Sequence, residues 1–146
     1  MNLERAISIA VEAHKGQMDK AGSPYILHPL RVMQSLETDP ERIVGILHDV
    51  VEDGPGWTFE RLEEEGFGPD VIEALRLVTK RPEDEGKDID SYLRFVRRAL
   101  TNPVARRVKA ADIRDNLDLT RLSEITPKDV ARLTKYTVAL QILLAA

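Results

Sequence analysis

The chain has 146 residues, of which 42% are apolar and 32% charged, a balance typical of one globular domain. Its net charge of −4 and its 5% aromatic content argue against general binding of nucleic acid or of a membrane surface. The absence of cysteine excludes a disulfide framework, a thiolate nucleophile and a Cys-ligated zinc site. The N-terminus carries no signal-peptide pattern and the apolar stretch 138–146 is too short to span a bilayer, so we expect a cytoplasmic protein.

Helix signals dominate the first half of the chain, and strand signals are almost absent. Asn2 is expected to cap a first helix, and the glycines and proline of 16–24 predict a loop. Pro29 suits the first turn of a short helix that runs to about residue 36. The pair Asp39–Pro40 predicts a cap followed by a helix to about residue 53, and Thr58 predicts a cap for a short acidic helix to about residue 66.

The second half continues the helical pattern around one charged loop. It predicts helices over 69–80, from Asp88 or Asp90 to about 100, over 103–118 after Asn102, and from Thr126 to about 144. Residues 81–87 are expected to form a mobile surface loop. The apolar segment 138–144 is either core or a dimer face, which leaves a homodimer open. The sequence therefore predicts a single all-α domain, 1–146, of seven or eight helices.

The helix predicted over 39–53 has two contrasting faces. Its apolar stripe consists of Ile43, Ile46, Leu47 and Val50. The opposite arc carries His48, Asp49, Glu52 and Asp53. Gly45 lies inside that arc, where a missing side chain would leave space for a ligand. Three carboxylates this close need a cation, a shared proton or full solvation, so this arc is either a ligand site or the solvated end of a surface helix.

Two further residues suggest that the arc is part of a metal site. His28 lies in an apolar run and is expected to point inward, where a lone histidine is more often a hydrogen-bonded core residue than a ligand. Asp112 lies in the middle of a helix and needs a partner if buried, which Arg107 or Lys109 would supply in a simple salt bridge. Together, His28, His48, Asp49 and Asp112 offer two imidazoles and two carboxylates, a mixed set that suits Mn²⁺ or a related divalent ion better than structural zinc.

A basic stretch provides a hint about the substrate. Residues 94–114 hold one acid, Asp112, and seven basic residues, giving +6 in a chain of −4. The basic residues are Arg94, Arg97, Arg98, Arg106, Arg107, Lys109 and Arg114. They favour a polyphosphate substrate beside the metal, or they pair with the acidic helix at 60–65.

Several motifs in order resemble the HD-type alarmone hydrolases, the hydrolase domain of RelA/SpoT proteins and their stand-alone small relatives. The first half carries AHKGQ at 13–17, Lys20, Gly22, PYI at 24–26 and His28–Pro29. The second part of the resemblance consists of GILHDVVED at 45–53, VTK at 78–80, VKAAD at 108–112 and Asn116–Leu117. These motifs cover about residues 6–122.

The resemblance implies an all-helical HD domain in which His28, His48, Asp49 and Asp112 hold Mn²⁺. It implies that Glu52 and Asp53 activate or orient the attacking water, and that Lys20 and Asn116 bind a small nucleotide substrate. The family reaction removes the 3′-pyrophosphate from (p)ppGpp and yields GDP or GTP with pyrophosphate. This chemistry agrees with the residues, since a metal acidifies bound water and a nearby carboxylate accepts the proton.

Two positions depart from the family pattern. Asp19 stands where the well-studied members carry an arginine that stacks on guanine, and Asp115 stands where His or Tyr is common. Both changes are expected on the nucleoside side, so (p)ppApp is an alternative to (p)ppGpp. Two other functions stay open: an HD-type phosphohydrolase or nucleotidase acting on another nucleotide, and a catalytically silent module that binds a nucleotide.

Overall fold

The structure is a computed structural model that describes residues 2–86 and 88–145. Within these residues it contains α-helices and two 3₁₀ turns, at Pro82–Asp84 and Ala99–Thr101, and no β-strand. The helices are α1 (Leu3–Ala13), α2 (Leu27–Gln34), α3 (Asp39–Leu47), α4 (Val50–Asp53), α5 (Phe59–Glu64), α6 (Pro69–Val78), α7 (Ile89–Arg98), α8 (Pro103–Asn116) and α9 (Pro127–Ala145). The predicted all-α class is confirmed. None of these helices is both long and apolar enough to cross a membrane.

Side-chain caps begin most helices where the sequence predicts them. Five predicted caps accept a hydrogen bond from the backbone N–H three residues later, and these are Asn2, Thr58, Asp88, Asn102 and Thr126. Each such cap stabilises its helix by about 1 kcal/mol. The start of α3 differs from the prediction, because its cap is Thr38 rather than Asp39. Thr38 and Glu41 form a capping box, in which each side chain bonds the backbone of the other, and Pro40 lies within the first turn.

The helix predicted over 39–53 is broken at His48 and Asp49. Helix α3 ends at Leu47, and α4 begins at Val50 after a turn in which Asp49 adopts φ −106° and ψ 1°. The prediction of one continuous helix is therefore wrong. The break matters for function, because it turns two adjacent side chains toward one point instead of spreading them around a helix.

Gly45 is a packing residue of the helix pair α2–α3, and the predicted ligand space beside it is not found. A Cβ atom placed on Gly45 would lie 2.7 Å from Leu36 Cδ1 and 3.5 Å from Val32 Cγ1. The missing side chain thus permits the close approach of α2 to α3. This contact fixes the position of His28, which belongs to α2, relative to His48.

Helix α3 lies at the centre of the domain and packs against α1, α2, α6 and α8. The apolar stripe predicted for it is confirmed, since Ile43, Ile46, Leu47 and Val50 are all buried. In α9, Ala139 and Leu143 are buried whereas Leu144 is exposed, so the apolar C-terminal segment contributes to the core. A dimer face on its remaining surface stays a prediction.

The segment predicted as a mobile loop contains an anchored turn. Asp84, in the 3₁₀ turn, is buried, accepts a hydrogen bond from the backbone N–H of Arg81 at 2.8 Å and forms an ion pair with Arg98 of α7. Residues 81–86 are therefore tethered to α7, which corrects the expectation of a free loop. Lys87, the last residue of that predicted loop, lies outside the described residues.

Candidate active site

Four predicted metal ligands converge from three parts of the fold. His28 from α2 places Nε2 3.0 Å from Asp112 Oδ1 and 3.8 Å from Asp49 Oδ2. His48 from the α3–α4 turn places Nε2 3.1 Å from Asp49 Oδ2 and 3.4 Å from the same Asp112 oxygen. Neighbouring ligand atoms about 2.1 Å from a shared ion lie about 3.0–3.4 Å from one another. Three of the four separations lie in that range and the 3.8 Å one exceeds it. His28, His48 and Asp49 offer atoms that all lie within 4.8 Å of one another, as a group that could hold a divalent cation, and Asp112 Oδ1 faces both imidazoles.

The imidazole of His48 provides an independent test of that fit. Its Nδ1 lies 2.6 Å from the carbonyl oxygen of Gly45, so the ring proton belongs on Nδ1. Its Nε2 is buried and makes no hydrogen bond within the described part of the chain, although two carboxylates lie nearby. In the neutral ring, which carries its proton on Nδ1, the Nε2 lone pair is available to a cation at this point. The donor set therefore fits a metal ion.

The carboxylates and imidazoles of this cluster stabilise each other's charged forms. Burial opposes ionisation of Asp49, yet the neighbouring imidazoles, His48 foremost, lower the pKa of Asp49 to about 2. Burial likewise opposes protonation of His48, but the carboxylates of Asp49 and Asp112 raise its pKa well above the ordinary value. Without a cation, the two carboxylates therefore hold protons on the histidines, and a cation that binds there displaces those protons.

Asp112 has more partners than the predicted salt bridge. Its Oδ2 accepts a hydrogen bond from Lys109 Nζ at 2.9 Å, which confirms Lys109 rather than Arg107 as the basic partner. Its Oδ1 faces the two histidines and accepts from Asn116 Nδ2 at 3.1 Å. Asn116 thus lies at the cluster, one turn after Asp112, with its exposed side open toward the cavity. Burial opposes ionisation of Asp112, but the Lys109 ammonium and His48 keep its pKa well below the ordinary value.

Two contacts to the cluster were not foreseen from the sequence. The hydroxyl of Tyr25 donates a short hydrogen bond to Asp49 Oδ2, the same oxygen that faces both histidines. The carboxylate of Asp115 accepts from His28 Nδ1 at 2.6 Å and also binds Arg31. Asp115 therefore lies behind His28 and also lines the adjoining cavity, and its expected place on the nucleoside side stays a prediction. The spacing Asp112–Asp115 along α8 was the signal for this neighbour, since residues three apart share a helix face.

Glu52 and Asp53 lie at the solvent-exposed edge of the cluster. Glu52 Oε1 accepts a hydrogen bond from the backbone N–H of Lys80 at 2.9 Å, which fixes one carboxylate oxygen and leaves the other available. Partial burial and the charges of Asp49 and Asp53 raise the pKa of Glu52. The pKa of Asp53 is raised by partial burial and by Asp49. Both carboxylates are therefore stronger bases than ordinary acidic side chains.

Three residues of the cluster, His28, Asp49 and Asp112, line a cavity of about 450 Å³. The basic residues on its wall are Lys20, Arg31, Lys80, Lys109, Arg121, Arg132 and Lys135. Of the basic stretch at 94–114, Lys109 belongs to this set. Elsewhere in that stretch, Arg98 pairs with Asp84 and Arg107 with Glu41. The stretch is therefore not the source of positive charge that the sequence indicated, and α9 supplies two of the basic residues instead.

Acidic residues at α5 form ion pairs with basic residues outside the stretch 94–114, with which the sequence allowed them to pair. Glu65, at its C-terminal cap, binds Arg5 of α1 at 2.6 Å, and Glu63 lies 4.0 Å from Arg76 of α6.

Three of the basic wall residues repel one another. Lys80, Arg132 and Lys135 lie close enough that burial and the charges of the other two lower the pKa of Lys135. Lys135 is also held over the rings of Tyr92 at 4.6 Å and Tyr136 at 5.1 Å. Like charges on a concave wall favour anions, so the cavity combines this basic group with a floor whose residues could hold a metal ion.

Lys20, which the resemblance assigns to the nucleotide, lies on the wall of the same cavity. Lys20 is exposed there, next to Asp19 and Met18. Asp19 Oδ1 accepts hydrogen bonds from the backbone N–H groups of Ala21 and Ser23, both at 2.9 Å, and so closes the 16–24 loop. The loop folds back through an isolated bridge between Met18 and Pro24. Asp19 therefore has a conformational role in addition to its place on the cavity wall.

No protein-family model matches the chain, but curated sequences do. It is 32% identical over 121 residues to a guanosine-3′,5′-bis(diphosphate) 3′-pyrophosphohydrolase of Aquifex aeolicus, covering 79% of this chain and 17% of that protein. It is 33% identical over 146 residues to a probable GTP pyrophosphokinase of Mycobacterium leprae, covering 93% and 18%. A putative GTP diphosphokinase of Arabidopsis thaliana is 44% identical over 82 residues, covering 53% and 9%. The chain thus spans between about a tenth and a fifth of these relatives.

A solved structure matches nearly the whole length of this chain. It is described as a metazoan ortholog of SpoT that hydrolyses ppGpp, with a TM-score of 0.77 and 26% identity, covering 97% of this chain and 84% of that chain. The sequence identity and the fold agree with these relatives. The chain belongs to the HD-domain alarmone hydrolase family.

Proposed function

We propose that the chain is a Mn²⁺-dependent hydrolase that removes the 3′-pyrophosphate from (p)ppGpp-like nucleotides, with (p)ppApp as the alternative base form. The observation that carries this proposal is the placement of the histidine–aspartate cluster and a group of basic side chains in one cavity. A nucleotide with more than one phosphate group would use both features, because one phosphate can lie at the cluster while another lies against the basic residues. With such a substrate, the expected compartment is the cytoplasm.

The proposal assigns the metal to His28, His48, Asp49 and Asp112, whose facing atoms lie 3.0–3.8 Å apart in the pairs given above. Two imidazoles and two carboxylates suit Mn²⁺ and related ions that tolerate mixed nitrogen and oxygen ligands. When bound there, such an ion supplies Lewis-acid chemistry to the phosphoester.

Glu52 is the proposed base. Its position at the edge of the cluster, its hydrogen bond to the Lys80 backbone and its raised pKa suit a carboxylate that takes a proton from the attacking water. Asp53 lies next to it and is proposed to orient the same water. Water then attacks the phosphorus next to the ribose 3′ oxygen, the bond between them breaks, and the released 3′ oxygen gains a proton.

The phosphates of the substrate are assigned to the basic residues of the cavity wall. Lys80, Arg132 and Lys135 form a dense positive group that a diphosphate would neutralise. Lys20 and Asn116 are proposed to contact the nucleotide nearer the metal. Asn116 keeps one amide hydrogen for a ligand after donating to Asp112.

The comparisons support hydrolysis over pyrophosphoryl transfer. The curated relatives include both hydrolases and diphosphokinases, and the chain covers too little of them for their names to assign an activity to this segment. The solved relative is covered over 84% of its length, and its description names ppGpp hydrolysis. We therefore place hydrolysis, not synthesis, in this domain.

The test is pyrophosphate release from ppGpp and ppApp, measured side by side with Mn²⁺ and with EDTA. We expect Mn²⁺-dependent release from at least one of the two, and loss of both metal and activity in Asp49→Ala. Asp39→Ala is the matched control, because Asp39 is an exposed aspartate at the far end of α3. Bound metal without release from either nucleotide would favour another nucleotide substrate or a silent binding module.

A further inference from the structure

The imidazole of His28 is held from behind by a carboxylate. Its Nδ1 lies 2.6 Å from Asp115 Oδ2, while its Nε2 faces Asp49 and Asp112. The two side chains are 8% and 11% exposed, so water does not compete freely for this contact. The ring of His28 is thus placed between a carboxylate on one side and the proposed metal position on the other.

Asp115 is itself fixed by two arginines. Arg31 approaches it with both ends of its guanidinium, Nε to Oδ1 at 2.7 Å and Nη2 to Oδ2 at 3.1 Å. Arg121 Nη2 lies 3.5 Å from Oδ2 and donates to the Asp115 backbone oxygen at 3.0 Å. A carboxylate bound by a guanidinium fork has a defined plane and direction. Asp115 therefore cannot turn away from His28 without breaking the fork.

We propose that Asp115 is a positioning residue that keeps the ring proton of His28 on Nδ1, so that Nε2 is directed at the metal. This inference rests on the proposed metal site. Carboxylates that accept the second N–H of a metal-binding histidine orient the ring and strengthen it as a ligand. His48 reaches the same arrangement with a backbone carbonyl, that of Gly45. The resemblance implies His or Tyr at position 115, so this device belongs to the chain rather than to the family motif.

The variant Asp115→Asn keeps nearly the same side-chain shape at this position but replaces one carboxylate oxygen with an NH₂ group. The asparagine amide has one oxygen to serve donors from Arg31 and His28. The fork of Arg31 attracts that oxygen, which leaves the NH₂ group facing Nδ1 of His28. The ring then carries its proton on Nε2 and is a poor ligand. We expect the affinity for Zn²⁺, used as a diamagnetic probe, to fall by about 10- to 100-fold.

The second measurement is the tautomer of His28 in the Zn²⁺-loaded chain, read from two-bond ¹H–¹⁵N correlations of the imidazole rings. With three histidines in the chain, each ring is assigned by substitution. We expect a protonated Nδ1 and a metal-shifted Nε2 on His28. Asp118→Asn is the matched control, because Asp118 binds Arg121 from the same end of α8 without contacting His28 in the described structure. Arg31→Gln should weaken Zn²⁺ binding less than Asp115→Asn does, since Asp115 keeps its charge.

The inference would be overturned if Asp115→Asn folds, binds Zn²⁺ as tightly as the unmodified chain and keeps the His28 ring protonated on Nδ1. That result would leave the proposed metal site intact. If Asp115→Asn does not fold, Arg31→Gln decides, and unchanged affinity in that variant overturns the inference. An unmodified chain that binds neither Zn²⁺ nor Mn²⁺ would overturn the proposed metal site and this inference with it.

Discussion

The Nδ1 atom of His48 lies 2.6 Å from the carbonyl oxygen of Gly45, one turn earlier in α3. Carbonyls in the last turn of a helix have no partner within the helix, and α3 ends at Leu47. The end of the helix therefore supplies the acceptor that orients the imidazole. Because the hydrogen bond uses Nδ1, only Nε2 is left to face the two carboxylates.

Substituting His48 should remove metal binding with little change in the rest of the fold. We expect His48→Asn to weaken Mn²⁺ binding by more than about 100-fold, since loss of a ligand exceeds loss of a ligand's hydrogen-bond partner. The measurement is isothermal titration with Mn²⁺. His14→Asn is the matched control, because His14 is also buried with its Nδ1 hydrogen-bonded, to Gln17 at 2.9 Å, whereas it is His48 that lies beside Asp49 and Asp112. Equal metal loss in the two variants would contradict the assigned site.

Lys109 should stabilise the metal-free chain. Its ammonium is buried, lies 2.9 Å from Asp112 Oδ2 and sits 4.6 Å from the ring of Phe95. Lys109→Met removes the ammonium that compensates the buried negative charge of Asp112. We therefore expect the free energy of unfolding to fall by about 3 kcal/mol. Urea unfolding measures it, and Mn²⁺ should narrow the difference because a cation replaces the missing charge. Arg97→Met, on the exposed side of α7, should cost less than about 0.5 kcal/mol. A similar cost for both variants would disprove this role.

Glu41 should stabilise the fold in a pH-dependent manner. Burial opposes its ionisation, but hydrogen bonds from the backbone of Thr38 and Glu37 and from Arg107 at 2.8 Å lower the pKa of Glu41 in the folded chain. The stabilisation is therefore complete above the unfolded pKa, about 4.3, and is lost as the pH falls through the lower folded pKa. We expect Glu41→Gln to cost about 1–2 kcal/mol at pH 7 and almost nothing once Glu41 is protonated in both states.

Thermal unfolding at pH 7 and in acid tests this expectation. Glu73→Gln makes the same chemical change at an exposed position of α6 and should have little effect at either pH. A Glu41→Gln deficit that is independent of pH would show that packing, not charge, is responsible.

Local signals predicted the helices better than they predicted the site. Caps such as Asn2 and Asn102 act through hydrogen bonds within three residues, so the sequence contains both partners. The break at His48 was missed because the apolar period of 43–50 continues through it, and nothing local marks a turn. Sequence reasoning named the four residues of the cluster, and their convergence is seen in the structure.

The partners of that cluster were missed for a different reason. Tyr25 and Asp49 are 24 residues apart, and His28 and Asp115 are 87 residues apart. Their contacts exist only because α2 packs beside the α3–α4 turn and α8. A pattern along the chain cannot show which side chains the packing brings together. For the same reason the sequence pointed to the basic stretch of 94–114 instead of Arg132 and Lys135.

Glu52 should be required for turnover but not for metal binding. In Glu52→Gln the amide oxygen can still accept the hydrogen bond from the Lys80 backbone, so the side chain keeps its place while losing its basicity. We expect kcat to fall by about 10²- to 10⁴-fold with Mn²⁺ affinity retained. Pyrophosphate release and metal titration on the same preparation measure the two effects. Glu60→Gln, on exposed α5, is the control, and undiminished turnover in Glu52→Gln would remove Glu52 from the mechanism.

Asp19 should determine the choice between guanine and adenine. If an arginine at this position supplies a stacking surface for guanine, Asp19→Arg should raise the ratio of activity on ppGpp to activity on ppApp by roughly 2- to 30-fold. The substitution also removes the acceptor for the N–H groups of Ala21 and Ser23, so total activity should fall on both nucleotides. The ratio of the two activities is not affected by that loss, because the 16–24 loop is equally perturbed for both substrates. Asp19→Asn keeps the acceptor and removes only the charge, and a ratio in Asp19→Arg no higher than in Asp19→Asn would refute the stacking explanation.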